Sequence, residues 1–74
     1  MSNTEFARMK KALARNGWFV INRPDGSRTE VLFHNLQYGA YYAVYHISKP
    51  SELGVVERNC IDTSHYLDNL RYLF

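Results

Sequence analysis

The amino-acid sequence predicts an α+β fold in the order helix, antiparallel meander of three to four strands, helix, with both helices on one face of the sheet. Three observations lead to this prediction. Apolar residues recur at helical spacing before Gly17, alternate with a period of two between residues 18 and 47, and return to helical spacing after Asp62.

The first helix is predicted over residues 4–16. Asn3 or Thr4 offers a short side-chain oxygen to the free backbone N–H groups of the first turn. Gly17 stands where a left-handed C-terminal cap is expected. The apolar stripe of this helix consists of Phe6, Met9 and Leu13, and a basic stripe on the opposite side consists of Arg8, Lys11 and Arg15.

Two short strands are predicted over residues 18–22 and 29–34, and we expect them to pair as a hairpin. The Pro-Asp-Gly sequence at 24–26 is typical of a turn, because proline presets its own φ angle and glycine accepts a positive one. Residues 40–47 are predicted to be the central strand, since aromatic and β-branched residues favour a pleated, half-buried surface. Four of the six tyrosines lie between residues 36 and 47.

The alternation of side chains along the central strand sorts its tyrosines. Tyr41 and Tyr45 point to one face of the sheet, while Tyr42 and Val44 point to the other. We expect the face of Tyr42 to pack on the helices and the face of Tyr41 to remain uncovered. The small side chain of Ala43 is expected to leave a groove between the two uncovered tyrosines.

The last third of the chain is predicted to add a short strand and a helix. Pro50 ends the central strand, because it has no N–H to donate to a sheet. A short fourth strand is predicted around residues 54–58. Asp62 or Thr63 is predicted to cap a helix over residues 64–73. The apolar stripe of that helix would consist of Tyr66, Leu67, Leu70, Leu73 and Phe74.

The length of 74 residues predicts a single domain over residues 1–74. The net charge is +2, and it is unevenly distributed: residues 1–28 hold six basic and two acidic side chains, a balance of +4 that leaves −2 for residues 29–74. The sequence has no apolar run long enough for a membrane span and no apolar core of a secretory signal. Cys60 is the one cysteine, so no internal disulfide is expected. We therefore expect a cytoplasmic protein that does not bind membranes.

A search for catalytic motifs finds no phosphate-binding glycine loop, no paired-histidine metal motif and no nucleophile elbow. His34 and His46 would lie on neighbouring strands, where two histidines and a carboxylate suit a metal and one histidine suits a general base. Polar residues near the ends of strands are the simpler interpretation. Cys60 is expected to be a small buried hydrophobic residue. The prediction is a protein without catalytic residues, metal or cofactor.

The tyrosine-rich face is the predicted binding surface, because tyrosine gives a large contact area at low entropic cost and is enriched at interfaces. Basic side chains are expected to steer and position the partner. The predicted partner-binding residues are Tyr41, Tyr45, Arg8, Lys11, Arg15 and Arg28. Two alternatives remain open: the tyrosines are half-buried with their hydroxyls in water, or they stack single-stranded bases. The basic stripe can also be read as a solvated helix face.

One local resemblance concerns residues 9–28, about a quarter of the chain. A basic helix ends there in Asn16-Gly17-Trp18, and Arg23 precedes Gly26-Ser27. This stretch resembles the small HicA-type toxin ribonucleases, which have a helix, a three-stranded sheet, a helix, and a catalytic histidine directly after a Gly-Ser pair. Arg28 occupies that position here. The resemblance therefore implies the fold rather than the activity.

In size and character the whole chain resembles small phage-encoded inhibitor proteins, including anti-CRISPR proteins. This resemblance implies a non-enzymatic interaction protein that sterically blocks a host protein or nucleoprotein complex. The alternative is an RNA- or DNA-binding module or a HicA-like ribonuclease. Nucleic acid and a second copy of the chain are the alternative partners.

Overall fold

The computed structural model describes residues 3–74. In chain order it contains α1 (Asn3–Asn16), β1 (Trp18–Asn22), β2 (Arg28–Leu36), β3 (Gly39–Ile47), β4 (Arg58–Ser64) and a 3-10 helix (Leu67–Leu73). The four strands form one antiparallel sheet in the order β1-β2-β3-β4. The α+β class and the antiparallel meander are therefore confirmed.

The first helix forms where it is predicted but already begins at Asn3, so the prediction that Asn3 or Thr4 caps it is wrong, whereas the predicted C-terminal cap at Gly17 is confirmed. Its apolar stripe is buried and consists of Phe6, Met9 and Leu13. Gly17 adopts a φ of +72°, and its N–H donates to the carbonyl oxygen of Leu13 at 3.0 Å. This left-handed residue ends α1 and lets the chain enter β1 at Trp18 without a loop.

The hairpin between β1 and β2 turns at the predicted Pro-Asp-Gly sequence. Gly26 has a φ of +91°, and its N–H donates to the carbonyl oxygen of Arg23 at 3.1 Å. The Asp25 carboxylate accepts hydrogen bonds from the Ser27 hydroxyl at 2.6 Å and the Ser27 N–H at 2.9 Å. These two hydrogen bonds lower the pKa of Asp25 because they favour its charged form.

The prediction for the fourth strand is wrong in position. The strand covers Arg58–Ser64 rather than residues 54–58, and Asp62 and Thr63 lie inside it instead of capping a helix. It pairs with β3 along the edge that β2 leaves free. That pairing satisfies backbone groups of both strands, and the β-branched Ile61 and Thr63 suit a strand.

The predicted C-terminal α-helix over residues 64–73 is also wrong, because this segment forms a 3-10 helix over Leu67–Leu73. A segment this short gains little from α-helical cooperativity. Tyr66 precedes the helix and is 72% exposed, so it does not belong to the apolar stripe. The leucines of the helix recur at every third residue, which is the period of a 3-10 helix: Leu67, Leu70 and Leu73.

One hydrophobic cluster joins the helices to the middle of the sheet. Val31 of β2 and Val44 of β3 are directly opposite each other and are both fully buried. The cluster consists of Phe6, Met9, Leu13, Val31, Val44, Leu70 and Leu73. Half-buried residues that pack against it include Phe19, Ile21, Phe33, Tyr42, Leu67 and Phe74.

Candidate functional site

The sheet has a second face, opposite to the side chains that form the cluster. Because Val31 and Val44 belong to the cluster, alternation along β2 and β3 places the neighbouring residues on the other side. The larger side chains of this second face are Trp18, Val20, Glu30, Leu32, His34, Tyr41, Tyr45 and Ile47. It therefore holds both tyrosines that the sequence predicts as binding residues.

Tyr41 is held by a histidine on the neighbouring strand. His34 and Tyr41 are directly opposite each other on β2 and β3. Their rings stack with centroids 4.9 Å apart and planes inclined by 18°. The His34 Nε2 atom is buried and has no hydrogen-bond partner among the described residues. The stack fixes the orientation of the half-buried Tyr41 ring.

Tyr45 is held by an arginine from the edge strand. The Arg58 guanidinium lies over the Tyr45 ring at 3.8 Å from its centroid, within the range of a cation–π contact. Arg58 is the first residue of β4 and is opposite Ile47 in the sheet. Arg58 is not among the binding residues predicted from the sequence, because its approach to Tyr45 depends on the pairing of β4 with β3.

A third set of contacts links β1 to β2 on the same face. The Trp18 indole N–H donates to Glu30 Oε1 at 3.4 Å, and Arg28 Nε donates to Glu30 Oε2 at 2.8 Å. The Arg28 hydrogen bond is the main reason that the pKa of Glu30 lies below its usual value. Arg28 is therefore occupied by an intramolecular ion pair, although its side chain remains partly exposed.

The groove predicted beside Ala43 is not open. Ala43 is 1% exposed, so the side chains around it close over its methyl group. Tyr41 and Tyr45 still share the second face, but a partner would meet their rings rather than a slot between them. The two half-buried rings, each in contact with a neighbouring side chain, thus form this part of the second face.

The basic stripe of α1 lies elsewhere, along a cleft between the helix and β1. The cleft has a volume of about 290 Å³ and is lined by Arg8, Lys11, Ala12, Arg15, Asn16 and Phe19. The three predicted cations are therefore brought together, but in a different site from the two tyrosines. Arg28, the sixth predicted residue, belongs to the second face.

The histidines do not form the metal site considered from the sequence. His34 is opposite Tyr41, whereas His46 is opposite Thr29, five residue pairs further along the ladder. The two side chains also point to opposite faces. Within residues 3–74 no three His, Cys, Asp or Glu side chains are placed to hold a metal ion.

Cys60 corrects another expectation, because it is exposed rather than buried. It lies on the edge strand β4, and its thiol contacts the carbonyl oxygen of Asp62 at 3.6 Å. Burial of the Cys60 side chain would require other side chains to pack over that part of β4.

In the described part of the chain no helix combines the length and hydropathy needed to cross a membrane. Comparison with known proteins found no matching family model, no matching curated protein and no matching solved structure. The resemblances to HicA-type toxins and to phage inhibitors therefore stay predictions.

Proposed function

We propose that this protein is a non-enzymatic binding protein that docks on a larger protein through the second face of its sheet. The observation that carries the proposal is that Tyr41 and Tyr45 are half-buried on this face and are each braced by a neighbouring side chain. A braced ring has little rotamer freedom left to lose on binding, which favours its use as an interface anchor.

The layer arrangement supports a free second face. Within residues 3–74, Tyr41 and Tyr45 are not among the residues that pack against the cluster. The Cα atoms extend over 39 × 30 × 19 Å, and the shortest extent matches one sheet and one helix layer at roughly 10 Å each. We therefore propose that α1 and the 3-10 helix cover the same face and leave the other to a partner.

The chemistry of this face indicates the kind of partner. Trp18, Tyr41 and Tyr45 supply aromatic surface, and Arg58 is exposed beside Tyr45. We propose a partner surface with an apolar pocket for the rings and a carboxylate for Arg58. The mode of action would be steric occlusion of a host protein or nucleoprotein complex in the cytoplasm, as in phage-type inhibitors.

The test begins with capture of the partner from a nuclease-treated host lysate on the immobilised protein. The partner is then identified, purified and titrated by calorimetry. Tyr41→Ala and Tyr45→Ala should each weaken binding by about 2 kcal/mol or more, as interface anchors do. Tyr38→Ala is the matched control, because Tyr38 is 97% exposed in the turn between β2 and β3.

The control variant should bind like the wild type and unfold at the wild-type temperature, because Tyr38 is exposed. Tyr41→Ala and Tyr45→Ala each remove a ring contact within the sheet, so their binding is measured below their own unfolding temperatures, where circular dichroism shows them folded. Wild-type affinity in both Tyr41→Ala and Tyr45→Ala would refute the proposal. Capture that disappears after nuclease treatment would also contradict direct docking on a protein.

The ribonuclease alternative gains no support from the site. Arg28 stands at the position of the HicA histidine and is paired with Glu30. A guanidinium has hydrogen-bond donors but no acceptor, so it does not replace a histidine as proton acceptor. Ribonuclease activity is therefore not proposed.

A further inference from the structure

The cleft between α1 and β1 combines three cations with an aromatic ring. Arg8, Lys11 and Arg15 are spaced by three and four residues along α1, so they lie along one side of the helix and span roughly 10 Å of its axis. Phe19 of β1 lines the cleft with the exposed part of a half-buried ring, which also contacts the ring of Phe74. On the second face, by contrast, Arg28 is paired with Glu30 and Arg58 lies over the Tyr45 ring.

The cations of this cleft have no ionic partner in the described chain. Within residues 3–74, the pair Arg28–Glu30 is the only ion pair closer than 4.0 Å. Arg8, Lys11 and Arg15 are exposed, so their charges are available to a ligand. Uncompensated cations at a cleft attract anions and concentrate them locally.

The residue types favour phosphate as the anion. Two of the three cations are arginines, whose planar guanidinium donates two parallel hydrogen bonds to one phosphate. Arg15 lies in the last turn of α1, where the helix dipole is negative, so part of its charge is offset. We therefore expect Arg8 and Lys11 to contribute more to anion binding than Arg15.

The ring of Phe19 distinguishes between two classes of polyanion, single-stranded nucleic acids and acidic peptides. Single-strand binding sites combine a positive groove with aromatic rings on which bases stack. An acidic peptide would be attracted by the same cations but would gain little from the ring. We propose that this cleft binds a single-stranded nucleic acid, with phosphates on Arg8, Lys11 and Arg15 and a base against Phe19.

The experiment uses the full chain and a fluorescein-labelled oligothymidylate of about twelve nucleotides, within the usual site size. Binding is followed by fluorescence anisotropy at several salt concentrations. Three phosphate contacts predict a slope of about −2 for log K against log salt, or a loss of roughly 20-fold in affinity between about 50 and 200 mM salt. The triple variant Arg8→Gln, Lys11→Gln, Arg15→Gln should lose nearly all of this salt-dependent binding.

Lys10→Gln is the matched control, because Lys10 is on the same helix but lines a different cleft and lies over the Phe6 ring. It should retain wild-type affinity to within about twofold. Phe19→Leu keeps an apolar side chain but removes the ring, so it should weaken binding about tenfold, the lower range for one stacked base. Circular dichroism checks that each variant is folded.

Three outcomes would overturn the proposal: no binding by the folded wild type, equal loss in Lys10→Gln and in the triple variant, or a labelled poly-glutamate binding as tightly as the oligonucleotide. The first two would show that the cleft is not a specific anion site, and the third that it does not select nucleic acid. None of them depends on Tyr41 or Tyr45, so this test is independent of the proposed docking face.

Discussion

At the scale of single residues, Leu70 ties the C-terminal segment to the core. It has no exposed surface and belongs to the cluster with Val31 and Val44. Leu70→Ala should lower the free energy of unfolding by about 2–5 kcal/mol, through lost burial and the cavity left behind. A domain of this size has a total of only about 4–11 kcal/mol, so the variant should be close to unfolding. Urea titration measures the change.

Leu53→Ala is the matched control, since it makes the same substitution at a leucine that is 91% exposed. Its free energy of unfolding should stay within about 0.5 kcal/mol of the wild type. A loss smaller than about 1 kcal/mol in Leu70→Ala would contradict the burial of this leucine.

The lowered pKa of Glu30 predicts that the free energy of unfolding depends on pH. Its hydrogen bond from Arg28 lowers the pKa below the ordinary value of 4.5, so the folded state favours the carboxylate. The resulting stabilisation is complete above pH 4.5 and is lost as pH falls through the lower pKa of the folded state. Glu30→Gln should therefore lose less stability than the wild type between about pH 6 and pH 3, measured by urea titration.

The exposed glutamate Glu52 provides the control for this comparison. Glu52→Gln should follow the wild-type curve over the same pH range. A Glu30→Gln variant whose acid-induced loss equals that of the wild type would show that the Arg28 hydrogen bond does not persist in solution.

At the scale of elements, two side-chain hydrogen bonds join the 3-10 helix to β4 in the described part of the chain, and in the first of them Asn69 Nδ2 donates to Ser64 Oγ at 3.0 Å. In the second, the Tyr72 hydroxyl donates to Asp62 Oδ2 at 2.6 Å. Although Tyr72 is 56% exposed, partial desolvation of its hydroxyl, and then this hydrogen bond, raise the pKa of Tyr72 to about 12. Its stabilisation is present below the ordinary pKa of 10 and is lost as pH rises through about 12. Ultraviolet titration should therefore show a tyrosinate component near pH 12 that is missing in Tyr72→Phe.

Tyr66→Phe is the control, because Tyr66 is exposed just before the same helix. It should leave the late component in place. A wild-type titration without any component above pH 11 would contradict the contact between Tyr72 and Asp62, since the expected pKa of Tyr72 is about 12.

The edge strand β4 has a feature that limits further pairing. Its register against β3 shifts between Val44 and Tyr45, so that Ile61 is an extra residue without a partner. Such a bulge bends and twists a strand and makes an edge a poorer template for another chain. The edge of β4 is therefore a weaker candidate for docking than the second face.

At the scale of the whole molecule, we expect a monomer in the absence of a partner. The second face carries Arg28 and Arg58 against the one carboxylate of Glu30. Two copies meeting through this face would bring like net charges together, which disfavours self-association. Sedimentation equilibrium should give a mass of 8.7 kDa. A stable dimer that Tyr45→Ala dissociates would assign the face to a second copy instead.

The first two thirds of the fold can be predicted from the amino-acid sequence, because the signals there are local. Gly17 had to end the helix, and the Pro-Asp-Gly turn at 24–26 had to join two strands, whatever lay around them. The period of two along β3 likewise separates Tyr41 and Tyr45 from Tyr42 and Val44. The grouping of Arg8, Lys11 and Arg15 follows from helical spacing alone.

The last third of the fold and the surroundings of the site depend instead on contacts between residues that are distant in the chain. Asp62 and Thr63 are as suitable for a helix cap as for a strand, and pairing with the free edge of β3 selected the strand. The contacts His34–Tyr41 and Arg58–Tyr45 depend on strand register. Register is a property of residues far apart in the chain, so no local pattern contains it.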